Sequence, residues 1–67
     1  MSYEVFRRRV NALIGKIGGG IVAVFSHDND CGRHTAVCSD GTIIIGNDIS
    51  LKVTVKWGSG HVATATI

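Results

Sequence analysis

The chain has 67 residues, of which 45% are hydrophobic and 18% charged, with a formal net charge of +2 and a pI near 8.8. That length allows one domain burying about 60% of its unfolded surface, the composition is not that of a disordered chain, and no stretch approaches the roughly 18 apolar residues of a membrane span. The mild positive charge admits anionic partners without requiring them, because a dedicated nucleic-acid binder carries a denser basic patch.

Ser2 stands where a helix N-cap is needed, and Glu4 follows in the first turn, where a negative charge suits the helix dipole. Phe6, Val10, Leu13, Ile14 and Ile17 then fall on one stripe, which predicts an amphipathic helix over 3–17. Gly18-Gly19-Gly20 ends it. A β-rich run predicts a strand over 21–26, followed by a polar loop from His27 to Gly32 and a second strand over 33–38. Asp40-Gly41 is a strong hairpin signal. The third strand, 42–46, is short and apolar, which predicts burial on both faces. In the fourth, 51–57, Leu51, Val53, Val55 and Trp57 alternate with Lys52, Thr54 and Lys56, giving one apolar and one polar face. Gly58-Ser59-Gly60 turns the chain into a fifth strand over 61–67.

The fold expected is α+β: an N-terminal amphipathic helix packed on a four- to five-stranded antiparallel meander, forming either a curled sheet or a small barrel. A helix followed by five strands is similar in element order to the Sm-like barrels. That resemblance implies ring assembly and RNA binding, although the chain carries no Sm-type motif.

Four side chains of metal-ligating type fall close together: His27, Cys31, His34 and Cys38, spaced H-x3-C-x2-H-x3-C. They are the candidate ligands, yet the tight C-x2-C knuckle is missing, so no metal and no cofactor is expected. The competing reading places Cys38 inward as a small hydrophobe, Cys31 in a loop and both histidines in water. No catalytic signature surrounds either cysteine, and a short chain has little room for a pocket, so no enzyme is expected. Asp28, Asp30, Asp40 and Asp48 lie in turn-rich segments, where aspartate bonds its own backbone. Gly18 to Gly20 follow a helix rather than feed one, the wrong order for a phosphate loop.

Basic residues supply a second candidate. Arg7, Arg8, Arg9 and Lys16 on the helix, Arg33 on the second strand, and Lys52 and Lys56 on the fourth would make a phosphate-binding stripe if they shared one face. Trp57 and His61 flank the last turn and are candidate interface residues. The function expected is a small non-enzymatic binding module, a bacterial or phage accessory protein that binds or inhibits a larger macromolecule. It would be cytoplasmic with reduced thiols, independent of membranes, and a homo-oligomer. A protein partner is the first expectation and implies an exposed apolar patch or an open strand edge around 61–67. A nucleic-acid binder using the basic stripe is the alternative. A homo-oligomer holding a small anion such as a nucleotide between subunits is the third reading.

Overall fold

In the computed structural model of residues 1–67, helix α1 covers Tyr3–Ile17. The Ser2 hydroxyl accepts from the Val5 N–H at 3.2 Å and satisfies one of the free amides of the first turn. At the other end Gly18, with φ of 75°, donates its N–H to the Ile14 carbonyl at 3.0 Å. Gly19 and Gly20 also have positive φ, a conformation that costs glycine little, and the three together reverse the chain towards the sheet.

Five strands follow: β1 Ala23–Asp28, β2 Arg33–Cys38, β3 Ile43–Asn47, β4 Lys52–Lys56 and β5 Val62–Thr66. Each pairs antiparallel with its neighbour in the chain, so the sheet order is β1-β2-β3-β4-β5. The protein is α+β, with one helix packed on an open sheet. No ladder joins β5 to β1, so the barrel alternative and the closure implied by the Sm-like element order do not hold. The helix lies across the inner face over β1 and β2, in the space that closure would need. No helix is long and apolar enough to cross a membrane.

Alternation sets the two faces. Inward on β2, β3 and β4 point Ala36, Cys38, Ile44, Val53 and Val55, which pack with Phe6, Val10 and Met1 as the core. Outward lies a cross-strand row of Val24, Val37, Ile43, Lys56 and Val62, with no second layer over it. The third strand is therefore not buried on both faces: Ile44 and Gly46 are enclosed, but Ile43 and Ile45 are only half-covered by their outer-face neighbours.

The first strand starts two residues later than the sequence predicts and runs to Asp28. Three residues of positive φ occupy the turn before it, and Val22 is engaged outside the ladder by Ser39, whose hydroxyl accepts from the Val22 N–H at 3.0 Å. His27 and Asp28, read from sequence as loop, instead pair with His34 and Arg33.

Candidate functional site

That two-residue extension of β1 builds a buried polar cluster on the inner face of the sheet. The tight turn after Asp28 brings β2 back in a register that sets His27 opposite His34, both on the inner face. His34 is completely buried. Its Nε2 lies 2.8 Å from the Met1 carbonyl oxygen and 3.2 Å from Asp48 Oδ1, and its Nδ1 lies 2.8 Å from His27 Nδ1. The His27 and His34 ring centroids are 4.8 Å apart with their planes inclined at 30°, and the two Nδ1 atoms face each other.

Proton positions follow from the partners. A carbonyl oxygen only accepts, so His34 Nε2 carries hydrogen and donates to Met1, with Asp48 as the second acceptor. When His34 is neutral its Nδ1 has a free lone pair, and His27 Nδ1–H donates to it. When His34 is charged, its Nδ1–H donates to a neutral His27. In both states one hydrogen lies between the two Nδ1 atoms, and a doubly charged pair would put two N–H groups head-on at 2.8 Å. The pair therefore holds at most one positive charge while its geometry persists.

Aromatic packing fixes both rings. Tyr3 stacks on His27 at 5.2 Å and on His34 at 5.5 Å between centroids, and Phe6 lies 5.3 Å from His34 and edge-on to Phe25. Tyr3 and Phe6 are three residues apart on the helix, so they present to the same region of the sheet. Gly46, opposite His34 on β3, leaves the room that the Phe6 ring fills: a Cβ there would sit 2.9 Å from Phe6 Cδ1. Gly32, with φ of 67°, does the same for Asp48, whose carboxylate oxygen would be 2.7 Å from an added Cβ. The Asp48 N–H donates to the Gly32 carbonyl at 3.0 Å, tying the β3–β4 turn to the β1–β2 turn.

Only half of the predicted ligand set meets here. Cys31 is an exposed free thiol in the β1–β2 turn, and Cys38 is a buried free thiol at the far end of β2, paired with Ala23. Burial pushes the Cys38 thiol up, and the Asp40 charge adds to the shift. His34, read as a candidate ligand or else as solvated, is enclosed. Tyr3, the Met1 carbonyl and Asp48 are the participants that sequence reasoning missed. The seven-residue spacing of His27 and His34 around a polar loop is a hairpin signal that could have paired them, whereas nothing local marks Asp48.

The basic residues do not converge. Arg7, Arg8, Arg9 and Lys16 are on α1, over the inner face, whereas Arg33, Lys52 and Lys56 point from the outer face. Each arginine of the triplet is also engaged within the chain. Arg7 lies over the Tyr3 and Phe25 rings at 5.6 and 5.5 Å, Arg8 approaches Glu4 at 3.5 Å, and Arg9 donates to the Ile67 carbonyl at 3.2 Å. Arg33 stands beside Asp28 across the ladder.

At the opposite end of the sheet, Trp57 and His61 flank the β4–β5 turn with their rings 5.3 Å apart, and Trp57 is 41% exposed. Beside Trp57 opens an apolar groove of about 480 Å3, walled by Leu13, Ile14 and Ile17 of the helix and by Val55, Ala65 and Ile67 of the sheet. Compared with protein-family models, with curated proteins and with solved structures, the chain matches none of them.

Proposed function

We propose that the protein is a small non-enzymatic binding module that engages a protein partner by adding a strand of that partner to the edge of β5. The observation that carries this reading is the character of that edge. Val62–Thr66 is one of the two edge strands; unlike β1, which ends in the charged Asp28, it has no proline and no charged residue, and it is β-branched at every second position. Natural edge strands are ordinarily protected by charge, proline or a covering element, and an unprotected edge is the template for strand addition.

The hydrogen-bond parity tells which groups are free. The Trp57 N–H donates to the His61 carbonyl at 2.9 Å, so residues 61, 63 and 65 direct their backbone groups towards β4. Val62, Thr64 and Thr66 direct theirs away from the sheet, where an added strand would take them. The groove beside Ala65, Ile67 and Trp57 lies next to that position and suits the inward side chains of such a strand. The fitting partner segment is thus extended, with apolar residues at alternate positions. The nucleic-acid reading draws less support, since the sheet separates the two groups of basic residues.

Thr64→Pro tests the reading, because it removes an outward N–H and leaves the β4 ladder intact. Proteins co-purifying with the full chain are compared with those retained by the variant, and cross-links to residues 62–66 are mapped. A partner held by the parent, cross-linked at β5 and lost with the variant is the expected result. Equal retention by both overturns it. Self-association that the variant abolishes overturns the partner assignment and names a second copy as the occupant.

A further inference from the structure

We propose that His27 and His34 form a binding site for one divalent transition-metal ion of borderline softness, with Zn2+ as the type case, held between their Nδ1 atoms. Three independent features of the pair point there.

The first is convergence. Two imidazole lone-pair positions face each other at 2.8 Å with only a hydrogen between them. Two nitrogens bound to one zinc at about 2.0–2.1 Å in a tetrahedral arrangement are roughly 3.3 Å apart. Opening by about half an ångström, with a tilt of the rings that brings both lone pairs onto one point, converts the first state into the second, and the half-buried His27 on the edge strand β1 can supply the movement. The second is the outer contact. A metal-binding histidine characteristically donates its other ring N–H to a carboxylate or a backbone carbonyl, which fixes the tautomer and the ring orientation. His34 Nε2–H does this towards the Met1 carbonyl and Asp48 Oδ1. The third is rigidity: His34 is buried, and Tyr3 stacks on both rings, so little conformational freedom is lost on binding.

Asp48 approaches from the Nε2 side of His34, and the two nitrogens of one imidazole point in different directions. It therefore orients His34 and is not itself a ligand in this arrangement. Water completes the coordination. A neutral pair takes the ion when the His27 hydrogen passes through solvent from Nδ1 to Nε2. A singly charged pair also releases one proton, so affinity falls with acidification.

The test is titration of the metal-free full chain with ZnCl2, followed by calorimetry, thermal melting and the imidazole NMR resonances. One ion per chain is expected, with a rise in melting temperature of about 5 °C or more at a hundredfold excess over Kd. Cys31→Ser leaves both unchanged, and His27→Ala weakens binding at least about tenfold, the loss of one of two ligands. The NMR arm does not depend on a variant that folds: the His27 and His34 resonances move at sub-stoichiometric zinc while that of His61 stays. No binding, binding that survives His27→Ala, binding lost with Cys31→Ser, or His61 responding first would each overturn the proposal.

Discussion

Under the first half of the helix, Tyr3 and Phe6 meet the Phe25, His27 and His34 rings of β1 and β2, and the fit is close enough that Gly46 cannot carry a methyl group without meeting Phe6. Under the second half, Val55 of β4 and the small Ala65 of β5 face Leu13, Ile14 and Ile17 across a groove, and about 480 Å3 stays open. Both halves carry the same inward–outward alternation. What differs is side-chain volume and the presence of a polar cluster that must be satisfied. Alternation decides which face is inner, and volume decides whether that face is filled, so one sheet has a locked end and an open end.

The largest expected effect breaks the locked end. Phe6→Ala removes a ring that is completely buried between Gly46, His34 and Phe25 and should cost about 3–5 kcal/mol. A domain of this size has little more than that to lose, so denaturant melts should show a largely unfolded chain. A matched pair of small additions sharpens the contrast. Gly46→Ala places its Cβ 2.9 Å from Phe6 Cδ1 and should destabilise by about 1–3 kcal/mol. Ala65→Val adds two methyl groups beside the groove and should change stability by no more than about 0.5 kcal/mol. Equal costs at the two positions would show that the groove closes in solution.

The smallest effect concerns the turns at either end. Asp28 lies below the usual 3.8 because the Asp30 N–H donates to its carboxylate at 2.9 Å and the Cys31 side chain adds a hydrogen bond. Asp40 lies below it because the Thr42 N–H donates at 3.0 Å and the Thr42 side chain adds another. A folded value below the unfolded one stabilises the fold above pH 3.8, and that contribution is lost as pH falls through the folded value. Asp28→Asn combined with Asp40→Asn should therefore flatten the acid limb of melting temperature against pH by lowering the neutral plateau slightly, while the most acidic points stay nearly unchanged.

The helix and the meander were legible because their signals are local. One stripe with a cap and a glycine stop marks α1, and Asp40-Gly41 and Gly58 to Gly60 mark two of the turns. The start of β1 was not, because three consecutive glycines of positive φ consume chain that reads as strand by composition. Barrel closure was not legible either, since it depends on where the helix settles. At the site, the pairing of His27 with His34 needed the true end of β1, two residues past the apolar run. Asp48 and the Met1 carbonyl reach His34 only through tertiary contact, across sequence separations that no short pattern spans.

The order of the strands has a kinetic consequence. Every ladder joins neighbours along the chain, so the sheet can grow hairpin by hairpin, with only short loops to close at each step. Such local connectivity favours rapid folding despite the β content. The steps with the longest reach join the N-terminal segment to the second half of the chain: the Met1 amine donates to the Ser50 carbonyl at 2.8 Å, and Arg9 donates to the Ile67 carbonyl at 3.2 Å. β5 is joined only through β4, so its outward amides at Val62, Thr64 and Thr66 have no ladder partner and should exchange with solvent faster than those of the central strands.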